Sequence, residues 1–195
     1  TVDPTGAVDE SNPDGTAEAN NDLSIGVTVR AAEWTVAIYM DSDNNLEAYG
    51  ILDFLEMSEV GSSPSVSIVA QMDRVSGYSI EFGYWTGTER FLVTNGMTPT
   101  QDSSYEHLGE VNMGDPSSLY DFATDTFRRF QADRTCLVLW DHGMNWYGGC
   151  CVDLSSSNDT LTTDEMRSSA LAITAVNGDR IDLLGVDCCL MGSME

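Results

Sequence analysis

Lysine is absent from this 195-residue chain; its eight basic residues are all arginine, set against 32 acids for a net charge of −24. Such a balance repels nucleic acid and anionic membrane surfaces, so no nucleic-acid partner is expected. No apolar run is long enough to cross a bilayer as a helix, which excludes a helical membrane span. Histidine occurs only at His107 and His142, so any chemistry that needs an imidazole has two candidates. Cysteine occurs at Cys136, Cys150, Cys151, Cys188 and Cys189, an odd count that leaves at least one thiol unpaired within the chain and supplies no disulfide framework. Adjacent cysteines on a strand point to opposite faces, which argues against a shared tetrahedral zinc site.

What is present describes a globular domain. With 42% hydrophobic residues the chain is long enough for one sizeable core. Its acid excess fits either adaptation to high salt or a field that attracts basic substrates. The lysine-free pattern, spread along the whole chain, favours a halophilic reading. Residues 1–33 hold two prolines, seven acids and a single arginine with no periodicity, the composition of an acidic disordered leader or linker. The chain begins at Thr1 rather than methionine, so the lack of a visible signal peptide excludes nothing.

From Trp34 onward the pattern alternates strands and helices. "WTVAIYM" reads as a strand ending at Asp41, followed by a helix to about Val60 with Asn44 and Glu47 placed as a cap. "SVSIVAQMD" reads as the next strand, and "YSIEFGYWTGTERFLVT" as a hairpin around Thr86-Gly87. Asp115 and Pro116 open a second helix whose apolar positions run from Leu119 to Phe130. "TCLVLW" is apolar throughout and predicts a strand buried on both faces, ending in "DHG". Thr162 and Glu165 form a capping box for a third helix, and "IDLLGVD" predicts a last buried strand ending in Cys188 and Cys189. This order predicts an α/β protein with a mostly parallel sheet and helices on both faces. Chemistry in such sheets gathers beyond the carboxyl ends of the strands.

Three clusters fall at those ends: Asp41 with Asp43, Asp141-His142-Gly143, and Asp187-Cys188-Cys189. A histidine can take a thiol proton near neutral pH, and cysteine is an intrinsically strong nucleophile. His107 lies in a polar stretch read as a loop and reads as an ordinary surface residue; Cys136 reads as mid-strand filling, and Cys150 and Cys151 as loop residues. The "MDSDNN" stretch fails as a phosphatase motif, having Asn45 where threonine is usual and no lysine to hold phosphate. It also fails as an EF-hand loop, with Leu46 and Leu52 at the positions that need glycine and glutamate, so helix capping and bonding at the strand rim are expected of it.

Taken together, "YMDSDNNLE", "QMDR", "LGEVNMGDPSSLYDF", "LVLWDHGMNW", "NDTLTTDEM" and "LLGVDCCLMGSME", in this order, resemble the clostripain family of cysteine peptidases, relatives of caspases, legumains and gingipains. The resemblance covers residues 34–195 and implies the N-terminal part of a peptidase domain: a caspase-like three-layer α/β/α sandwich with a mostly parallel sheet, truncated at its C-terminus. It implies a Cys-His dyad of Cys189 and His142, with an oxyanion hole from the N–H groups of Gly143 and Cys189. Asp187 is then the substrate-binding residue that selects arginine, or lysine, before the scissile bond. Cys188 stands where the family pattern has alanine. The implied activity is endopeptidase cleavage of polypeptides with basic residues through an acyl-enzyme thioester, by a secreted or cell-surface protein. The alternative is a non-catalytic, clostripain-like surface or binding module. No cofactor is implied; some relatives need calcium, but the sequence displays no calcium site.

Overall fold

The computed structural model describes residues 32–178 and 180–192. The acidic segment expected over residues 1–33 lies outside them, apart from Ala32 and Glu33, which open the first strand. Eight strands and four helices follow: β1 (Ala32–Ser42), α1 (Glu47–Val60), β2 (Val66–Arg74), β3 (Gly87–Leu92), β4 (Glu106–Gly109), α2 (Pro116–Arg129), β5 (Ala132–Asp141), α3 (Asn145–Gly148), β6 (Cys150–Asp153), β7 (Asp159–Leu161), α4 (Thr163–Val176) and β8 (Leu183–Cys188). Six of the strands form one sheet in the order β4-β3-β2-β1-β5-β8, and β6 pairs with β7 in a small hairpin. Strands β2, β1, β5 and β8 run parallel, whereas β3 and β4 join antiparallel at one edge. The chain leaves β1 toward β2 on one side and returns through β5 on the other. In open parallel sheets such a reversal places binding sites beyond the carboxyl ends of the strands that flank it, here β1 and β5.

The pleat of β1 builds both layers, because successive side chains face opposite ways. Ala37 and Tyr39 pack with Leu119 and Phe122 of α2 and Ile173 of α4. Ile38 and Met40 pack with Ile51 and Phe54 of α1, and with Trp140. Helices therefore cover both faces, as the alternation of elements predicts. Asp115 caps α2 by accepting the Ser117 N–H at 2.7 Å, and the capping box of Thr162 and Glu165 opens α4.

Four local expectations are corrected. Asn44 does not cap α1: it accepts the Leu46 N–H at 2.9 Å but turns its amide toward Asp141 at 2.8 Å, and α1 starts without a side-chain cap. The hairpin read around Thr86-Gly87 has only its second strand, since Phe82 and Tyr84 adopt left-handed φ values of 57° and 50° that break an extended chain. Cys150 and Cys151 are fully buried in β6 rather than placed in a loop. β8 is not the buried strand expected: it is an edge strand among the described residues, with Leu183 and Leu184 about half exposed.

Glu47, expected in a capping role, is a core residue. Its Oε1 accepts from Arg74 Nε at 2.8 Å, both side chains are fully buried, and its Oε2 accepts the Ser79 N–H at 2.7 Å. The Arg74 guanidinium also lies 4.7 Å from the Trp85 ring centre, while both of its terminal nitrogens lack hydrogen-bond partners. Removing one member of such a pair strands the other charge in the interior. Glu47→Ala is expected to lower the unfolding free energy by about 3–5 kcal/mol in urea titration. A loss below about 1 kcal/mol would contradict this role.

Candidate active site

Parallel register brings the two expected reactive segments together. On β5 and β8, Trp140 lies opposite Asp187 and Asp141 opposite Cys188. The residues that follow these pairs, His142 and Cys189, leave the sheet side by side. Gly143 fixes how closely: a Cβ built there would stand 2.1 Å from the Cys189 carbonyl oxygen and 2.9 Å from Cys188 Cβ. Only glycine admits that approach. Gly143 also bridges to Cys150, with the Met144 N–H donating to the Gly149 carbonyl at 2.8 Å. In that pattern the bonds belong to the flanking residues, so the bridge does not consume the Gly143 N–H.

The two cysteines separate by environment. Cys188 is half-buried, packs against the α2/α4 side of the core and directs its Sγ to the Leu139 carbonyl at 3.5 Å. Its bond with Cys150, together with burial, raises its thiol well above the ordinary range. Cys189 is exposed in the turn beyond the strand. The next residue, Leu190, holds a left-handed φ of 63°, an uncommon conformation for such a side chain. Cys136 is buried, which raises its thiol, and Cys150 and Cys151 lie with sulfurs 3.6 Å apart. Against the lowering effect of the Cys150 bond, burial and the charges of Asp41 and Asp141 raise the Cys151 thiol to about 12. These four thiols are held protonated, and Cys189 is the solvent-facing one.

His142 is held from the opposite side. Its Nε2 lies 3.0 Å from Asn45 Oδ1, so Asn45 orients the ring from the segment that follows β1. The segment is itself pinned: Asn44 Nδ2 donates to Asp141 Oδ1 and to the Val152 carbonyl, and the Val152 N–H donates to Asp141 Oδ2 at 2.5 Å. In the sequence Asn45 stands out only as a mismatch to other motifs. Its part could not be read there, because 97 residues separate it from His142. His107 sits on β4 rather than in a loop; its side chain is 60% exposed and its Nδ1 meets Glu89 Oε2 at 2.5 Å. Asp187 is exposed at the carboxyl end of β8.

Beneath the rim lies an unexpected concentration of carboxylates. Asp41, Asp43, Asp73, Asp141 and Asp153 are all buried. Burial, then the nearby Asp141 and Asp73 charges, holds the Asp41 carboxyl well above the usual range. Burial and Glu110 do the same to Asp73. Burial pushes Asp141 up to about 7 despite its bonds from the Val152 and His142 N–H groups. Glu110 is raised to about 7 by burial and by the charges of Asp43 and Asp153. Asp43, Asp73 and Glu110 each offer an oxygen within 4.8 Å of the others. They come from three different elements, so no local spacing announces them.

The clostripain family profile matches residues 38–195, most of the chain. Clostripain from Hathewaya histolytica is 26% identical over 186 residues, which cover 83% of this chain and 34% of that protein. Among solved structures, a secreted C11 cysteine protease from Bacteroides thetaiotaomicron, held with an irreversible peptide inhibitor, superposes with a TM-score of 0.61 at 16% identity. That match covers 83% of this chain and 44% of the other. An inactive zymogen C11 protease from Parabacteroides distasonis gives a TM-score of 0.57 at 20% identity, covering 82% and 42%. The chain thus spans about a third of the curated relative and less than half of the solved ones. The chain, with its three-layer α/β fold and its shared rim of histidine and cysteine, belongs to the clostripain family of cysteine peptidases.

Proposed function

We propose that this chain carries the catalytic rim of an endopeptidase that cuts polypeptides after arginine, with lysine second. The observation that carries the reading is the β5–β8 register, continued by the close approach of Gly143 to Cys189. Cys189 is the nucleophile: its thiol is exposed, whereas that of Cys188 is turned into the core and held protonated. His142 takes the thiol proton as sulfur attacks the scissile carbonyl, and passes it to the departing amine. The acyl group remains on Cys189 as a thioester, which water hydrolyses with His142 again as base. Asn45 is a positioning residue that holds the imidazole from its far side.

The N–H groups of Gly143 and Cys189 are the donors for the oxyanion. Fixed dipoles of this kind cost no reorganisation when charge develops, which makes them the largest single contribution in many acyl transfers. Asp187, exposed on the neighbouring strand end, supplies a carboxylate for a substrate guanidinium through paired charge-assisted bonds. Location outside the cell is supported by the relative from B. thetaiotaomicron, which is secreted. No helix among the described residues is long and apolar enough to cross a membrane.

In the protein as its cells produce it, Cys189→Ala is expected to cut turnover of an arginyl-amide substrate by roughly 10⁴-fold or more. Cys188→Ala should keep most of it, and the reverse pattern would overturn the assignment. Gly143→Ala is expected to lower kcat by roughly 100-fold, because the added methyl displaces the Cys189 turn. Asn45→Ala should lower kcat by about tenfold while KM changes little, as expected for a residue acting through His142. Equal effects on kcat and KM in a series of substrates would contradict that positioning role.

A further inference from the structure

We propose that Cys150 and Cys188 are the partners of a disulfide cross-link that ties the β6–β7 hairpin to β8 beside the candidate active site. Cys150 opens β6 and Cys188 ends β8. Gly143 relates them: it bridges to Cys150, and a Cβ built on it would stand 2.9 Å from Cys188 Cβ. At that glycine the two thiols bond to each other. Both pack on the α2/α4 side of the core, and both are free thiols in the structure. Cys188 stands where the family pattern has alanine, so the pair belongs to this chain's own residues.

Cys150 is the centre of a sulfur cluster, 3.6 Å from Cys151 Sγ and 3.8 Å from Met166 Sδ on α4. Of its neighbours, Cys188 is the one suited to pair with it. Consecutive Cα atoms stand about 3.8 Å apart, whereas disulfides take Cα separations of about 4.4–6.8 Å. That rule disfavours a Cys150–Cys151 bond and equally a Cys188–Cys189 bond, and Met166 is a thioether with no S–H to lose. Cys136 lies opposite Leu183, at the other end of the β5–β8 ladder. The cross-link therefore leaves Cys189 free. It joins the hairpin whose Val152 holds Asp141 and Asn44 to the strand that ends in the Cys189 turn. It also closes a long loop through α4, which restricts the unfolded chain.

The oxidant is a low-molecular-weight disulfide. Cys188 is half-buried and Cys150 fully buried, so Cys188 is the thiol that a reagent reaches first. Its thiolate attacks one reagent sulfur and breaks the reagent's S–S bond, and the released thiol takes up the proton that Cys188 lost. Cys150 then attacks the Cys188 sulfur of the mixed disulfide and expels the second reagent thiol, which takes up the Cys150 proton. Two protein thiols are oxidised and one reagent disulfide is reduced to two thiols. The bond with Cys151 and burial raise the Cys150 thiol, and the bond with Cys150 and burial raise that of Cys188. The exchange is accordingly slow at neutral pH and faster in mild alkali.

The test reads covalent state rather than peptidase activity, so its failure would leave the proposed cleavage chemistry untouched. The folded chain carrying Cys189→Ala, which removes the exposed thiol, is reduced, freed of reductant and held with cystamine for hours at about pH 8.5. The expected product is lighter by two hydrogens and retains no cystamine. Trypsin then yields peptide 135–167 joined to the peptide that begins at Ile181, and fragmentation places the link on Cys150 and Cys188. The unfolding midpoint is expected to rise by about 5–10 °C and to fall back on reduction. Cys188→Ala and Cys150→Ser, each in the same background, should form no cross-link and show no such rise. Cys188 is only half-buried, so Cys188→Ala reports even where Cys150→Ser does not fold. No loss of hydrogens, a lasting cystamine adduct on Cys188, a link to Cys136 or Cys151, or a midpoint unmoved by the link would overturn the assignment.

Discussion

The candidate site depends on the parallel pairing of β5 with β8. Backbone bonds in that ladder set Asp141 opposite Cys188, and everything chemical follows from the next residue on each strand. The register is enforced by burial: Leu137 and Leu139 of β5 enter the α2/α4 core, and Cys188 packs at its edge. Side chains alternate along a strand, so a slip of one residue would exchange the inward and outward thiols. The pleat therefore decides between two adjacent cysteines that are chemically alike.

A second constraint is the charge beneath the rim. A surface rich in acids accounts for much of the composition, but not for five buried aspartates. Several are compensated by backbone donors. Asp141 takes the Val152 N–H and the Asn44 amide, and Asp153 takes the N–H groups of Met113 and Ser156. These bonds tie the β6–β7 hairpin and the loop before α2 to the ends of β1 and β5. Asp41, Asp43 and Asp73 keep one unpartnered oxygen each, and those three oxygens are where the network is incomplete. Rim geometry and buried charge are thus one structural problem.

Much of the fold was legible because its signals are local. Apolar runs marked β1, β2, β5 and β8, and the caps at Asp115 and Thr162 act as their sequence suggests. The strand-end placement of His142, Gly143 and Cys189 was legible for the same reason. The failures share a different cause. Asn44 and Glu47 look like a helix cap, yet distant partners claim them: Asp141 in one case and buried Arg74 in the other. Cys150 and Cys151 read as loop residues because β6 is only four residues long. Asn45, Asp73 and Glu110 have their meaning in tertiary contacts across the sheet, which no spacing rule displays.

Cys189 is the proposed reactive thiol, and the site it faces is proposed to select a basic side chain. The most direct test is labelling with an arginine-derived acyloxymethyl ketone, followed by intact-mass measurement and peptide mapping of the adduct. A single adduct on Cys189, prevented by His142→Ala, is the predicted result. An adduct on Cys188, or no adduct with the arginine reagent in the presence of intact His142 and Cys189, would contradict these roles.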